Sequence, residues 1–164
     1  MTNVIIRPFK DHDYPAILDI YAKSKLDELA YERTEFELLP LDQDPKRLAE
    51  LQESDIYVVE DNGVIAYGAL FENEIRAVFV HPHSRGRGVG KILLEYLLAK
   101  TRGAASLYVA KTNVIAHRLY EKLGFVAVEE FETHYNGVPV MALKMERVSN
   151  DSVQGLAILQ KSAG

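Results

Sequence analysis

The chain has 164 residues, of which 48% are apolar, and it carries a formal net charge of −5 at pH 7. This length and apolar content predict one domain with a single core, and the absence of cysteine excludes disulfides, thiolate metal sites and a cysteine nucleophile. Because no run of about 18 apolar residues and no charged-then-apolar leader is visible, we expect neither a membrane span nor a secretory signal, and we expect a cytoplasmic location.

Periodicity and turn residues predict strands and helices in the first half of the chain. A short β-prone run is followed by a helix that Asp11 or Asp13 can cap and that Pro15 can begin. Residues 30–42 lose periodicity and are predicted to form an irregular segment over the core. Asp44 and the proline after it predict the start of a second helix. The predicted elements are a strand at residues 3–7, helices at 15–29 and 45–54, and strands at 56–60, 64–71 and 75–80.

The second half continues this alternation. A glycine-rich turn joins the last of these strands to a helix whose apolar stripe includes Ile92 and Tyr96 and which ends before Gly103. The apolar run at residues 105–110 predicts a strand buried on both faces. Asn113 is predicted to cap the next helix. The predicted elements are a helix at 89–102, a strand at 105–110, a helix at 114–123, and strands at 125–133 and 140–146.

Three glycines at alternate positions form the turn before the helix at 89–102. Glycine lets the backbone approach a ligand closely, and a helix N-terminus favours negative charge, so the turn is predicted to bind phosphate. It does not match the nucleotide-triphosphate loop, because Gly90-Lys91 is followed by Ile92. It does not match the dinucleotide fingerprint either, because Lys91 or Leu93 stands where a third glycine is required. The glycines are Gly86, Gly88 and Gly90.

Two motifs stand in order along the chain. The turn reads Arg85-x-x-Gly88-x-Gly90, and the following helix and its end carry a second spaced set, Asn113, Ala116, Tyr120, Gly124 and Phe125. Both resemble signatures of the GNAT superfamily, the acyl-CoA-dependent N-acetyltransferases. A glycine pattern alone also fits an ordinary structural turn, and the second motif favours the family.

The resemblance implies an α/β (α+β) fold, the GNAT fold. Such a fold has a mixed, mostly antiparallel sheet of six to seven strands, a splay between strands 4 and 5, and helices on both faces. The resemblance covers residues 3–147, so we assign residues 1–147 to one acetyltransferase domain. We predict that the tail at residues 148–164 is partly disordered, and its apolar run is also suited to packing on the domain or on a second copy.

The resemblance also implies that acetyl-CoA is the cosubstrate and binds at the splay. Unpaired backbone of the fourth strand is expected to bind the pantetheine arm like an added strand, and amides and positive charges of the turn are expected to bind the pyrophosphate. Capping of the helix is enough to explain Asn113, so contact with the cofactor is a secondary role for this residue. The residues assigned to the cofactor are Val78, Phe79, Val80, Arg85, Gly86, Arg87, Gly88, Val89, Gly90, Lys91, Asn113 and Tyr120.

Two residues are assigned to catalysis. Tyr120 stands at the family's tyrosine position and is the candidate acid that protonates the leaving thiolate, although a core aromatic would occupy the same apolar stripe. Glu74, at the start of the fourth strand, matches the position of the catalytic glutamate of histone-acetylating members and is the candidate base. Glu72 or a water molecule is the alternative base, and both carboxylates also fit a surface turn. A backbone N–H near Phe79 or Val80 is expected to meet the oxyanion.

Acidic residues concentrate near the start of the chain. Residues 11–60 carry 14 acids and five bases, whereas the remainder carries 10 acids and 14 bases. This asymmetry suits a cationic amine acceptor beside a polyanionic cosubstrate, although a solvated helix face gives the same pattern. Glu35 and Glu37 are candidates for acceptor contact. The acceptor is expected to be a small-molecule amine or a protein or peptide amine.

The sequence also excludes or leaves open several partners. We expect no nucleic acid, because no basic stripe lies outside the glycine turn, and no membrane. We expect no metal, because His81 and His83 lack a third ligand at usable spacing. A homodimer is possible for this fold. A non-catalytic acyl-CoA-binding or regulatory module is the alternative function, and it would need neither Tyr120 nor Glu74.

Overall fold

The computed structural model describes residues 3–147, so the predicted tail at residues 148–164 lies outside the described residues. Within this range, strands and helices follow one another in the predicted order. The strands are β1 Ile5–Pro8, β2 Asp55–Glu60, β3 Val64–Phe71, β4 Glu74–Val80, β5 Ala105–Ala110, β6 Val126–Tyr135 and β7 Val138–Arg147. The helices are α1 Tyr14–Ser24, α2 Pro45–Gln52, α3 Val89–Leu98 and α4 Val114–Lys122, and 3₁₀ segments lie at Asp11–Asp13, Lys25–Leu29, Leu41–Gln43 and Pro82–Ser84.

The strands form one mixed sheet in the order β1-β2-β3-β4-β5-β7-β6, antiparallel except for the parallel pair β4 and β5. The register between β4 and β5 joins Glu74 to Ser106 and Ile75 to Leu107. On its other side, β4 stays paired with β3 as far as Val80. The C-terminal half of β4 therefore separates from β5, and this splay confirms the predicted fold class.

Two buried clusters cover the two faces of the sheet. On one face, α3 buries Leu93, Leu94 and Leu97 completely against strands β3 to β5. On the other face, α1 and α2 pack over β2 to β4, and Ile17 and Ile20 of α1 are buried there. Each such side chain contributes roughly 1.5–3 kcal/mol of stability, so both helix layers are held firmly against the sheet.

A β-bulge interrupts β4 between the two clusters. Ala69 of β3 pairs with Ala77, and the next residue, Leu70, pairs with Ile75. Arg76 therefore has no partner on β3 and is the bulged residue. The guanidinium of Arg76 donates to the carboxylate of Glu53 (2.5 Å) at the end of α2 and to the Glu50 carbonyl (3.1 Å). The bulge therefore directs Arg76 toward α2, on the side of the sheet that α1 and α2 cover.

The start of α1 is anchored to β1 through a buried carboxylate. Asp13 stands at the N-cap position, but its carboxylate accepts hydrogen bonds from the Arg7 guanidinium (2.8 and 2.9 Å) and from the Lys10 N–H (2.8 Å). The hydrogen-bonded guanidinium lowers the pKa of Asp13 to about 2. Asp13 thus caps the preceding 3₁₀ turn, and its predicted role as a side-chain cap of α1 is wrong. The predicted cap at Asp44 is confirmed by its bond from the Arg47 N–H (3.3 Å).

The helix after the glycine turn differs from its prediction in length and in its buried face. It ends at Leu98 rather than at residue 102, and the Thr101 hydroxyl donates to the Leu98 carbonyl (2.7 Å) just past its end. Ile92, predicted in the buried stripe, is 41% exposed, whereas Leu94 is fully buried. The run of apolar residues in this helix offers two stripes about one residue apart, and packing against the sheet selects the stripe that includes Leu94.

Two further predictions are wrong in detail. The first helix changes to 3₁₀ geometry at Lys25 instead of continuing as an α-helix to residue 29. Strand β5 buries Leu107 and Val109, but Tyr108 is 50% exposed because one face of the strand borders the splay.

Across residues 3–147, every helix falls short of the length or the apolar character that a membrane span requires.

Candidate active site

The glycine turn lies between the end of β4 and the start of α3. Gly86 and Gly88 have φ angles of +78° and +75°, which L side chains rarely adopt, and Gly88 is the N-cap residue of α3. A methyl group added at either glycine meets no atom within 4 Å, so both face open space. The turn therefore exposes backbone N–H groups at the N-terminus of a helix, and such groups can bind a phosphate.

A groove runs from this turn along the splay to α4. Its walls bring together the C-terminal half of β4, the turn, the start of α3 and one side of α4. Ten of the twelve residues assigned to the cofactor line it, and Arg87 and Lys91 are the exceptions. The ten assigned residues that line the groove are Val78, Phe79, Val80, Arg85, Gly86, Gly88, Val89, Gly90, Asn113 and Tyr120. Asn113 also caps α4, as its side chain accepts from the Ala116 N–H (3.4 Å).

The positive charges of the turn and of the start of α3 are paired with acidic side chains. Arg85 contacts Asp27 (2.6 Å), which lies in the 3₁₀ segment after α1. Arg87 contacts Asp61 (2.5 Å) in the turn between β2 and β3, and Lys91 lies 3.9 Å from Glu95. These pairs are partly or largely exposed, so a polyanion can replace the carboxylates at small free-energy cost.

Tyr120, on α4, lines the groove. Burial raises the pKa of its phenol to about 12, and the negative charge of Glu28 adds to the shift. The phenol is therefore protonated at neutral pH and is a hydrogen-bond donor. Tyr120 packs edge-on against Phe125, with ring centroids 5.9 Å apart, so the predicted alternative of a packed aromatic describes part of its role.

A second pocket opens on the other side of the splay, under α1 and α2. We call it the tyrosine pocket. Aromatic, aliphatic and charged residues of both signs form its walls. Its walls include Tyr21, Tyr67, Phe79, Tyr108 and Tyr120, with the charged residues Lys25, Glu28, Arg47, Glu50 and Arg76. Phe79 and Tyr120 line both the groove and the tyrosine pocket, so the two spaces meet at these side chains.

Lys25 and Glu28 form an ion pair (2.8 Å) inside the tyrosine pocket, on the 3₁₀ segment after α1. Both line the tyrosine pocket, and Glu28 also lines the groove. Neither residue was predicted from the sequence. They belong to no motif, and a surface pair three residues apart on a helix gives the same pattern.

The predicted base, Glu74, is absent from the walls of both the groove and the tyrosine pocket. It stands at the end of β4 that remains paired with β5, and its carboxylate accepts from Arg76 Nε (3.2 Å). Glu72 lies in the turn before β4, exposed and with a φ of +55°. Glu28 is the carboxylate that shares the walls of the groove and the tyrosine pocket with Tyr120. The assignment of Glu74 as base stays a prediction.

The remaining candidates occupy different places. His81 and His83 stack with ring centroids 4.9 Å apart, and the His81 ring nitrogen Nδ1 accepts from the His83 N–H (3.1 Å). In residues 3–147 no group of three metal-ligating side chains comes together. Glu35 and Glu37 are exposed and lie outside the walls of the groove and the tyrosine pocket. The acidic residues that line these two spaces are Asp27, Glu28 and Glu50, and the basic residues are Lys25, Arg47, Arg76 and Arg85.

Part of the chain is similar in sequence to known acetyltransferases. Residues 52–127, just under half of the chain, match the family model described as Acetyltransferase (GNAT) domain. The N-alpha-acetyltransferase RimI of Mycobacterium tuberculosis is 35% identical over 82 residues, which are 49% of this chain and 52% of that protein. The peptidyl-lysine N-acetyltransferase YjaB of Salmonella typhimurium is 28% identical over 90 residues, which are 55% of this chain and 61% of that protein. The chain spans between 20% and 61% of the length of the curated relatives it matches.

The fold is similar to solved structures over nearly the whole chain. A GCN5-related N-acetyltransferase from Rhodopseudomonas palustris superposes with a TM-score of 0.72 at 21% identity, covering 91% of this chain and 98% of that chain. The structure of yncA from Salmonella typhimurium, which contains acetyl-CoA, has a TM-score of 0.66 at 22% identity and covers 90% of this chain and 94% of that chain. At these identities the similarity establishes the fold.

Proposed function

Because residues 52–127 match a GNAT acetyltransferase model and the fold is that of GNAT structures, we propose that the chain is a GNAT N-acetyltransferase that transfers an acetyl group from acetyl-CoA directly to a primary amine. The observation that carries this proposal is the position of Tyr120. Its phenol lies where the groove meets the tyrosine pocket, so one proton donor faces both spaces. A reaction between two bound molecules needs such a junction.

Acetyl-CoA is proposed to bind in the groove. Amides of the turn from Arg85 to Lys91 and the N-terminus of α3 are suited to the pyrophosphate, and Arg85 adds a mobile charge after it leaves Asp27. The free edge of β4 from Val78 to Val80 offers backbone groups to the pantetheine arm, in the manner of an added strand. Arg87 and Lys91 lie outside the groove walls and contribute through longer-range attraction.

The chemistry needs a neutral amine and a proton for the leaving thiolate. An alkyl ammonium group has a pKa near 10.4, so a base must first remove a proton. Glu28 is better placed for this role than Glu74, because Glu28 lines both the groove and the tyrosine pocket, as Tyr120 does. Tyr120 then donates its proton to the leaving sulfur, and a backbone N–H near Phe79 or Val80 stabilises the oxyanion.

The tyrosine pocket is proposed to be the acceptor site. Its aromatic walls and the carboxylates of Glu28 and Glu50 suit a primary ammonium group. One relative is named a peptidyl-lysine N-acetyltransferase and another an N-alpha-acetyltransferase. A protein or peptide amine is therefore one acceptor class and a small-molecule amine is the other. The cytoplasmic location, the homodimer and the absence of nucleic-acid, membrane and metal partners stay predictions.

An amine panel with acetyl-CoA tests this function against the non-catalytic alternative. We expect release of free CoA with at least one alkyl amine or lysine-containing peptide, with one acetyl group gained by the amine for each CoA released. A binding module would bind acetyl-CoA and release no CoA above the rate without protein. That result across small amines and peptides would contradict the proposed activity and leave the binding module as the function.

A further inference from the structure

Lys25 presents an amine inside the proposed acceptor site. Its side chain is only 13% exposed, although lysine ordinarily extends into solvent. Its Nζ lies 5.3 Å from the ring centroid of Tyr135, 5.9 Å from that of Tyr21 and 6.0 Å from that of Phe79. Among the described residues that line the tyrosine pocket, Lys25 is the only lysine.

The surroundings of Lys25 match those an acceptor amine needs. Glu28 accepts a hydrogen bond from its Nζ (2.8 Å), and Glu28 lines both the groove and the tyrosine pocket, as Tyr120 does. Phe79 belongs to the free edge of β4, where the thioester is proposed to lie. The amine, the proposed base and the proposed acid therefore line one pocket, and all three belong to one chain.

We propose that Lys25 is a self-acetylation site, modified within a single molecule when acetyl-CoA is bound and no other amine fills the tyrosine pocket. This inference rests on the proposed function. A group held beside a reactive carbonyl reacts as though it were present at very high concentration, so Lys25 should react faster than a lysine on the surface.

The proposed transfer balances without a further reactant. The Lys25 ammonium group gives one proton to Glu28, and the neutral Nζ forms a bond to the thioester carbonyl carbon. The carbon–sulfur bond breaks, the sulfur takes a proton from Tyr120, and Tyr120 regains one from the nitrogen. The products are an amide at Lys25, free CoA and one proton, which Glu28 returns to solvent.

The test is the rate of acetylation at each lysine, measured by peptide mass spectrometry of the whole protein incubated with acetyl-CoA. Lys23 is the internal reference for uncatalysed acetylation, because it is 53% exposed and lies on α1 two residues away. We expect Lys25 to be acetylated at least about tenfold faster than Lys23. We also expect the rate per molecule to stay constant when the protein is diluted.

Two variants keep the inference open to contradiction. Lys25→Arg keeps a positive charge beside Glu28 and should abolish acetylation at this position without changing Lys23. Glu28→Gln should slow acetylation at Lys25 and leave Lys23 unaffected. Equal rates at Lys25 and Lys23, or a Lys25 rate that rises with protein concentration, would overturn self-acetylation within one molecule.

A binding measurement separates this inference from the function on which it rests. If acetyl-CoA raises the melting temperature and amines are acetylated while Lys25 is not, self-acetylation fails and the proposed function stands. If acetyl-CoA neither raises the melting temperature nor modifies any lysine faster than free solution chemistry, both fail together.

Discussion

The two sides of the splay are built in different ways. Most of the groove comes from one short stretch, in which the end of β4, the glycine turn and the start of α3 follow one another directly. The tyrosine pocket is assembled from α1, the 3₁₀ segment after it, α2, β3, β4, β5 and α4. A site that one stretch encodes can be recognised as a motif, whereas a site that many elements share depends on the whole fold.

The charges of the two sides differ in the same way. On the groove side, Arg85 and Arg87 are paired with exposed or half-exposed acids that a polyanion can replace. In the tyrosine pocket, Lys25 is enclosed by aromatic rings and held by Glu28. The groove is therefore suited to an anionic ligand, and the tyrosine pocket, if it is the acceptor site as proposed, owes its selectivity to Lys25, Glu28 and the aromatic rings around them.

The largest effect is expected at the junction that both sides share. Tyr120→Phe removes only the hydroxyl group, so we expect the turnover number to fall by about 10²- to 10³-fold. The melting temperature and the affinity for acetyl-CoA should change little. Tyr96→Phe is the matched control, because Tyr96 lies on α3 and packs against Tyr57 away from the junction. Equal turnover in both variants would remove Tyr120 from the acid role.

A pair of glycine variants tests the groove side alone. Both Gly88→Ala and Gly90→Ala add a methyl group to the groove wall, so we expect each to weaken acetyl-CoA binding about tenfold or more. Their effects on folding should differ in sign. Gly88 has a positive φ, so its variant should lose about 1 kcal/mol of stability, whereas Gly90 lies within α3 and its variant should gain up to about 1 kcal/mol.

Calorimetric binding and denaturant unfolding check this pair. Loss of binding in the stable Gly90→Ala variant cannot be attributed to unfolding, because a Cβ at that position meets only Val80 Cγ2, at an ordinary contact distance of 3.5 Å. Unchanged acetyl-CoA affinity in both variants would show that the turn is a structural feature and not a phosphate site.

The pocket side is tested by removing one carboxylate. Glu28→Gln keeps the size of the side chain but removes its charge and its capacity to accept a proton, so we expect KM for a cationic amine to rise about tenfold and the turnover number to fall, while the affinity for acetyl-CoA holds. Steady-state kinetics with varied amine measures this. Glu35→Gln is the control, because Glu35 is exposed and outside the pocket walls. If only the Glu35 variant altered KM, the acceptor site would lie elsewhere.

A smaller effect is expected at Asp27, whose carboxylate competes with bound acetyl-CoA for the guanidinium of Arg85. Asp27→Asn releases Arg85, so acetyl-CoA should bind about two- to fivefold more tightly, the range that an exposed ion pair supports. The effect should shrink at high salt. The exposed Asp42 gives the matched control, and Asp42→Asn should leave the affinity as it is. Weaker binding in Asp27→Asn would indicate that Asp27 supports the groove instead of competing with the ligand.

The pH dependence of the acid group is expected to be the smallest effect. Burial raises the pKa of Tyr120 from its ordinary value of 10.0 to about 12, so the phenol stays protonated at pH values where an ordinary tyrosine already ionises. We therefore expect the turnover number to show no loss from this group up to about pH 10, and a loss only as the pH approaches 12. A rate profile with a descending limb near pH 8 that Tyr120→Phe abolishes would contradict this expectation.

The sequence predicted the order of the elements because each has its own local pattern. Asp44 before a proline, the glycine turn and Asn113 all mark element boundaries through short-range chemistry, and the structure has elements at those boundaries. The choice between Ile92 and Leu94 as the buried residue was not encoded locally, because both belong to an apolar run and the sheet selects one face.

The tyrosine pocket could not be predicted for a related reason. Lys25 Nζ lies over the ring of Tyr135, a residue far along the chain, and Arg76 reaches α2 only because a bulge adds one residue to β4. No periodicity or spacing encodes either contact. Residues around a motif were thus predictable, whereas side chains that meet only in the folded protein were found from the structure.

The most direct test of the account is thermal unfolding with and without acetyl-CoA, with CoA and NAD as comparators. A ligand at one hundred times its Kd stabilises the folded state by about 2.7 kcal/mol. We predict that acetyl-CoA and CoA raise the melting temperature of the wild-type protein, that NAD does not, and that Gly90→Ala loses the response. An equal response to NAD, or none to acetyl-CoA at millimolar concentration, would contradict the assignment of the groove.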